Sequence, residues 1–305
     1  MPGERDGAAA RPDAGAAGGF GTPMAPGPYH GVDAQRAAES YVREFRRARR
    51  NACLLVVALA VVVTVVAIVA RWSTLVQLLV LLAVLVPVVV AYARGFGRRA
   101  ALARSILVSD CDPQRYRAFV ACVLQLDAKL MSRQVVPAEL AACDLFEGEY
   151  ERASKGARAM LATRAPLAVR LNAAEVEGAA RRELGDEEGV AEADAILREL
   201  AEGLRGRRGL ERPVDAAVLL SHLRAVPAAR QTQEDLEAIQ DLLDRPVNEL
   251  QRRGTILLKA EWLLAHGDAG GALACADEVE RLGACPDHAR AIERIRREAR
   301  ALSRG

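Results

Sequence analysis

The sequence predicts an all-helical protein in which a two-helix transmembrane hairpin precedes a cytoplasmic helical domain. Two apolar runs, each long enough to cross a bilayer, lie close together in the first third of the 305 residues. The rest of the chain is rich in Ala, Leu, Glu and Arg, which favour helices. Its apolar residues recur at helical spacing, with little of the strict alternation that is typical of strands.

Two segments precede the first apolar run. Residues 1–31 are rich in Gly, Ala and Pro and bury too little apolar surface to offset the entropy of ordering, so we expect a disordered tail. Residues 32–51 are predicted to form a basic juxtamembrane helix with Tyr41, Val42 and Phe45 on its apolar face. Such a helix either lies on the membrane with its arginines against anionic lipid or simply extends the first span.

The hairpin covers residues 52–93. Its two runs, 52–70 and 75–93, each span about 28 Å as a helix, close to the ~30 Å hydrocarbon thickness of a bilayer. Arg71 lies between them and is costly inside the bilayer, so residues 71–74 are predicted to turn at the interface. The alternative is a pair of buried helices in a soluble core, but two uninterrupted runs of this length favour the membrane.

The orientation of the hairpin follows from its basic flanks. Six arginines lie between residues 36 and 50, and four more lie between 94 and 104, whereas the turn carries one. The positive-inside rule therefore predicts a plasma-membrane protein with two spans and both termini cytoplasmic. On this interpretation the lipid bilayer is one partner, and residues 94–305 form the cytoplasmic domain.

The cytoplasmic domain is predicted to consist of short, consecutive helices joined by short connections, so that neighbours pack antiparallel. Start signals include Asp112 before Pro113, and Thr232 three residues before Asp235. The predicted helices cover residues 99–108, 113–130, 137–147, 149–163, 166–183, 187–203, 213–224, 232–244, 247–265, 270–282 and 286–303.

A glycine turn recurs between pairs of these helices. Its three glycines are 37 and then 82 residues apart, which fits units of about 41 residues. Glycine permits the left-handed cap that stops a helix, an acidic residue favours the next N-terminus, and a small residue further on allows close packing. The repeat-turn positions are Gly148, Tyr150, Ala153, Gly185, Gly267, Asp268 and Ala272.

The third copy carries a family resemblance. Small and large residues stand at the positions expected of a tetratricopeptide repeat at Ala260, Leu263, Gly267 and Ala272. Residues 113–303 therefore resemble degenerate tetratricopeptide repeats, although Asp144 and Arg181 stand where that family has a large aromatic residue. Residues 106–119 resemble a segment of poorly characterised bacterial membrane proteins with such repeats. The resemblance implies an α-solenoid, and the alternative is an irregular helical bundle.

Charge and motifs exclude several classes of function. Nine of the 42 basic and six of the 40 acidic residues precede residue 94, which leaves a balanced 33 and 34 after it. This balance, with only five aromatic residues after residue 97, argues against a nucleic-acid partner. The six cysteines form no Cys-x-x-Cys pair, and no catalytic or metal-binding motif is present. We therefore predict no cofactor, no metal and no enzymatic activity.

The favoured hypothesis is a membrane-tethered scaffold or adaptor whose concave helical surface binds a protein or peptide partner. The first helix of each pair is expected to line that groove, with Arg170, Asn172, Arg253 and Lys259 as candidate contacts. One alternative is a membrane-bound enzyme, which predicts a deep polar cleft with titratable groups of shifted pKa. The other is a structural protein whose hairpins self-associate as homo-oligomers.

Overall fold

The computed structural model describes residues 27–131, 135–207 and 209–303, and these residues form twelve α-helices and no strand. The all-helical prediction is therefore confirmed for the described part of the chain, while most of the predicted disordered tail lies outside it. The helices are α1 Ala34–Val69, α2 Thr74–Val108, α3 Pro113–Asp127, α4 Val136–Glu147, α5 Tyr150–Leu161, α6 Leu167–Glu183, α7 Glu187–Glu202, α8 Glu211–Ala225, α9 Gln233–Asp244, α10 Glu249–Ala265, α11 Ala269–Leu282 and α12 Pro286–Leu302.

From residue 113 onward the helices begin and end within two residues of the predicted bounds, except that α3 ends three residues earlier and residues 128–130 form a short 3-10 turn. The predicted start signals are used as expected. Asp112 accepts a hydrogen bond from the backbone N–H of Arg115, at 2.8 Å, and Thr232 and Asp235 form a reciprocal capping box. The predicted helix over residues 99–108 is not separate, because it is the last part of α2.

The two long helices α1 and α2 are joined by a turn in which Arg71 has a left-handed φ of 51°. Both are long and apolar enough to cross a membrane. The most apolar stretch of 18 residues is 11% buried in α1 and 0% buried in α2, so these residues do not form the core of the described fold. Pro87 lies inside α2, where its missing N–H removes one helical hydrogen bond.

The first half of α1 is a direct extension of the apolar helix. Its predicted apolar face packs inside the protein, with the ring of Tyr41 5.6 Å from that of Phe119 on α3. The ring of Phe45 lies 4.8 Å from that of Phe96 on α2. Of the two interpretations of this segment, the structure favours the extension of the first span, because its apolar face is buried against α2 and α3.

The remaining helices form two layers. The first helices of the pairs, α4, α6, α8, α10 and α12, face inward, and α4 packs against α6 while α6 packs against α8. The second helices, α5, α7, α9 and α11, pack on the outside between them. In addition, α12 packs against α4 and α10 packs against α2. The chain thus closes on itself, whereas an open solenoid keeps its ends apart.

Contacts between residues far apart in the sequence stabilise this closed arrangement. Arg290 on α12 donates a 2.8 Å hydrogen bond to the carbonyl oxygen of Gly148, which ends α4. Phe146 meets the ring of His288 edge to face at 6.3 Å. Leu250, near the start of α10, is buried in the apolar cluster that α1 to α6 build. The N-terminal and C-terminal helices therefore share one core.

Candidate functional site

A cavity of about 220 Å³ lies inside the closed arrangement of helices. Its walls come from the end of α2 and from α4, α6, α8 and α10, and they are mostly apolar. The lining includes Leu107, Leu145, Phe146, Val176, Ala217, Leu220 and Leu250, with the polar residues Arg104, Asn172, Glu175, Arg224, Asn248 and Gln251. An apolar cavity with a few polar groups is the usual form of a small-molecule site.

A second cavity of about 70 Å³ adjoins the first, and Leu145, Phe146 and Arg224 line both. Its other walls come from α6, α10 and α12. It is more highly charged than the first cavity, because Arg182, Glu183, Glu261, Asp287, His288 and Arg294 line it. Arg224 therefore stands where the two cavities meet.

Most of the charged groups in the second cavity are paired with one another. Glu261 accepts from Arg182 at 2.5 Å and from Arg294 at 2.8 Å. Arg294 also binds Glu183, at 3.2 Å. Burial acts to raise the pKa of Glu261, but the two guanidinium groups outweigh it and the pKa lies below its usual value. These four residues form a closed ionic cluster at the inner end of the site.

Arg104, which lines the first cavity, belongs to the long apolar helix α2. Its guanidinium lies 3.3 Å from Glu139 on α4 and donates a 2.9 Å hydrogen bond to the side-chain oxygen of Asn172 on α6. The helix that contributes Arg104 is the same helix that contains the second apolar run. One wall of the cavity is thus a continuation of the hairpin.

Arg224 and Glu175 differ from their neighbours because they are unpaired. Among the described residues, no acceptor binds the guanidinium of Arg224 and no donor binds the carboxylate of Glu175. Burial lowers the pKa of Arg224 and raises that of Glu175, and each charge is partly offset by the other. Two opposite charges therefore face the cavity more than 4.0 Å apart, beyond direct ion-pair distance.

His288 borders the second cavity and is 3% exposed. Its Nδ1 atom is enclosed and has no hydrogen-bond partner within the described ranges. Burial lowers the pKa of this imidazole to about 3, and the nearby Arg253 and Arg224 add to the effect. His288 is therefore neutral at physiological pH.

The three predicted glycine turns share one backbone geometry. Gly148, Gly185 and Gly267 have φ angles of 79°, 72° and 85°. In each, the glycine N–H binds the carbonyl three residues back and the next N–H binds the carbonyl five back, which is a Schellman motif. Asp268 caps the next helix through the N–H of Gly271, at 2.8 Å. Such a turn also joins helices outside repeat proteins, so the shared geometry does not define a repeat family.

The other repeat-turn positions lie at helix contacts. Ala153 and Ala272 are fully buried, where a larger side chain would separate the paired helices. Tyr150 has a further contact that its position in the turn did not predict. Its hydroxyl donates a 2.7 Å hydrogen bond to Asp287 at the start of α12.

The four predicted groove residues do not meet in one place. Asn172 lines the larger cavity. Arg170 lies on the same helix, and its enclosed Nε atom has no hydrogen-bond partner in the described structure. Arg253 is buried and donates to the carbonyl oxygens of Ser109 and Gly283. Lys259 points to the outer helix α9, where it binds Gln240 at 3.1 Å.

The main cavity residues, Arg224 and Glu175, were not among the predicted site residues. A signal was present in the sequence, because Arg224 follows Ala217 and Leu220 at helical spacing and so continues an apolar face. Glu175 likewise stands beside Val176 on the inward side of α6. A charge on an otherwise buried face marks a position where the interior must solvate it.

The fold and the cavity define a class: an all-helical protein with two membrane-length apolar helices and a charged cavity in a closed helical domain. No known protein family, no curated protein and no solved structure matches this chain. Within the described ranges, no group of three or more His, Cys, Asp and Glu side chains is placed to hold a metal ion.

Proposed function

We propose that this chain is a membrane-tethered scaffold that binds a protein partner at the cytoplasmic face. The observation that carries the proposal is the continuity of the hairpin with the helical domain. The inner half of α1 buries Tyr41 and Phe45, and the inner half of α2 buries Ile106 and Leu107, all in one core. A domain held by two unbroken helices stays at a fixed height and raises the local concentration of membrane partners.

Membrane insertion is supported by the surface of the hairpin. Large apolar side chains cover it, and Ile68 and Val69 are 71% and 79% exposed. Soluble monomers rarely expose contiguous apolar patches larger than a few hundred Å². Lipid would cover these side chains, and the arginines that flank both helices would meet the cytoplasmic leaflet.

The partner surface is expected on the outer helices, because closure leaves a cavity on the inner side instead of an open groove. The outer face of α7 is strongly acidic: Glu187, Glu188, Glu192, Glu199 and Glu202 are exposed along it. Arg198 on the same face is paired with Asp194, at 2.7 Å. Glu192 is paired with Arg158 at 3.7 Å and Glu202 with Arg205 at 2.9 Å, so the acidic surface rests on the other three glutamates. We therefore expect a partner with a basic segment, for which charge complementarity speeds association.

Site-specific photo-crosslinking in native membranes tests this surface. The full chain would carry a photoreactive residue at Glu188 on α7, at Gln251 beside the cavity or at Arg297 on the outside of α12. We expect specific protein adducts from position 188, weakened by salt, and none from 251 or 297. Position 188 yielding no more adduct than 297 would contradict the proposed surface.

A topology test addresses the anchor separately. A reporter fused after residue 303 should be active only in the cytoplasm, and the full chain should resist alkaline extraction from membranes. A reporter that is active outside the cell, or a protein recovered in the aqueous fraction without detergent, would remove the basis of the proposal.

An enzyme is the second candidate, and the cavity favours it. Glu175 combines a raised pKa with a nearby guanidinium, which suits a general acid. If a compound that copurifies with the protein is converted by the native chain and not by Glu175→Gln, the protein is an enzyme. A bound compound that both proteins leave unchanged excludes Glu175 as its acid.

A further inference from the structure

We propose that the larger cavity binds a small zwitterion of the amino-acid class with an apolar side chain. Arg224 would bind its carboxylate and Glu175 its ammonium group. This site is separate from the scaffold surface on α7, and its ligand does not depend on a protein partner.

The guanidinium of Arg224 has no hydrogen-bond or ion-pair partner among the described residues. Arginine stays charged in proteins and presents five N–H donors, which match a carboxylate in a bidentate arrangement. The nearby acceptors are already engaged. Glu261 is held by Arg182 and Arg294, and Asp287 accepts from Tyr150. Arg224 is only partly buried and lines both cavities, so its unpartnered guanidinium is accessible to an anionic group that enters the larger one.

A second unpaired charge, of opposite sign, is that of Glu175. Glu175 on α6 faces the same cavity, and its basic neighbour Arg104 is engaged with Glu139 and Asn172. A simple anion on Arg224 would be repelled by Glu175, and a simple cation on Glu175 would be repelled by Arg224. A molecule that carries both charges a few ångströms apart satisfies both residues at once.

The volume of the larger cavity and its remaining polar groups limit the ligand further. A volume of about 220 Å³ lies below the ~300–1,000 Å³ of sites for drug-sized ligands, so the ligand is small. The side-chain oxygens of Asn172 and Gln251 are used internally, by Arg104 and by the N–H of Val247. Their amide N–H groups remain free to donate to a carboxylate.

The apolar walls select the side chain of the ligand. Leu107, Phe146, Val176 and Leu220 surround the polar groups, and burying a branched aliphatic side chain against them is favourable. Gly254 on α10 lines the adjoining smaller cavity. A Cβ atom there would lie 3.9 Å from Nη2 of Arg224 and 4.0 Å from Nε2 of His288. A long side chain at this position would fill that smaller cavity beside the guanidinium of Arg224.

The test is calorimetric titration of the full chain in detergent micelles with the standard L-amino acids. Two analogues of leucine complete the set: 4-methylpentanoate, which lacks the ammonium group, and isoamylamine, which lacks the carboxylate. We expect at least one aliphatic amino acid to bind, and each analogue to bind about tenfold or more weakly than leucine. Equal affinity of leucine and 4-methylpentanoate would overturn the zwitterion assignment, as would a complete lack of amino-acid binding.

Three variants and one control locate the site. Arg224→Met and Glu175→Gln should each weaken binding about tenfold or more, because each removes one charged contact. Val247→Phe enlarges a partly exposed side chain that lines the larger cavity and should weaken binding about tenfold or more while both charges remain, which keeps the test decisive if Arg224→Met fails to fold. Arg281→Met changes an exposed residue and should bind like the native chain. Unchanged affinity in Val247→Phe and Glu175→Gln would place the ligand elsewhere and overturn the proposal.

Discussion

The hydroxyl of Tyr150 donates a 2.7 Å hydrogen bond to Asp287, a residue 137 positions further along the chain. This contact joins the first glycine turn to the start of α12. Arg290, one turn further along α12, stacks over the ring of Tyr150 at 5.7 Å and binds the carbonyl oxygen of Gly148. The residue that begins the second helix of the first pair is therefore also the residue on which the last helix closes.

Removing this hydroxyl should weaken the closure. Tyr150→Phe leaves the mostly buried Asp287 carboxylate without its donor, and we expect the free energy of unfolding to fall by about 1–3 kcal/mol. Chemical denaturation of the full chain in detergent measures the change. Tyr41→Phe is the matched control, because the Tyr41 hydroxyl makes no hydrogen bond among the described residues, and its effect should stay within about 0.5 kcal/mol. Equal effects of the two changes would contradict the role of Tyr150.

Two of the turn glycines should respond differently to alanine. Gly148 and Gly185 are both left-handed, which costs alanine about 1–2 kcal/mol at either position. At Gly185 nothing lies within 4 Å of the added carbon, whereas at Gly148 that carbon would overlap the guanidinium of Arg290. Gly148→Ala should therefore destabilise the protein by at least about 1 kcal/mol more than Gly185→Ala. Thermal unfolding of both variants gives the comparison, and equal losses would mean that Arg290 is free to move away.

His288 should make the fold sensitive to acid. The folded imidazole has a pKa of about 3, below the usual 6.5, because it is buried beside Arg253 and Arg224. Only the unfolded chain therefore takes up this proton between pH 6.5 and 3. The contribution of neutral His288 to the free energy of unfolding is therefore fully present above pH 6.5. It falls as the pH falls, by about 2 kcal/mol between pH 6.5 and 5.

The variant His288→Gln isolates this effect. It removes the titrating group, so the loss of stability between pH 7 and 5 should be about 2 kcal/mol smaller than in the native chain. Asp287 titrates in the opposite sense but is present in both proteins, and its contribution cancels in the difference. Denaturation curves of both proteins at pH 7 and pH 5 give the four free energies of unfolding. An equal loss between the two pH values in both proteins would exclude His288 as the source.

Arg253 should be important for stability and not for partner binding. It is buried and donates to Ser109 at the end of α2 and to Gly283 before α12. Arg253→Met leaves these carbonyl oxygens without a donor and should cost about 1–3 kcal/mol of unfolding free energy. Arg281→Met removes an exposed ion pair with Glu278 and should change it by no more than about 0.5 kcal/mol. A native-like stability of Arg253→Met would indicate that water replaces both contacts.

The sequence was sufficient for local structure. Helix bounds such as Pro113 and the capping box at Thr232 depend on a few neighbouring residues, and the apolar runs need only composition. The left-handed glycines follow from the same local rule, since Gly148 must end α4 two residues before Tyr150 begins α5.

The closure and the cavity depend on contacts between distant residues, which periodicity does not contain. Glu183 and Arg294 are 111 residues apart, and neither position shows which charge will meet it. For the same reason the sequence does not show that Lys259 and Asn172, both on inner helices, bind different neighbours, Gln240 and Arg104. A charged residue on an apolar face, as at Arg224, was the available clue to an interior site.

The length of α2 has a mechanical consequence. Its 35 residues form a rod of about 50 Å from the turn at Ser73 to the core, with Arg104 near the inner end. In the proposed topology a thinner bilayer would tilt this rod, and because α2 continues from the span into the core as one helix, the rotation would be carried inward. The shape of the larger cavity, which Arg104 lines, would then depend on the thickness and composition of the lipid in which the protein resides.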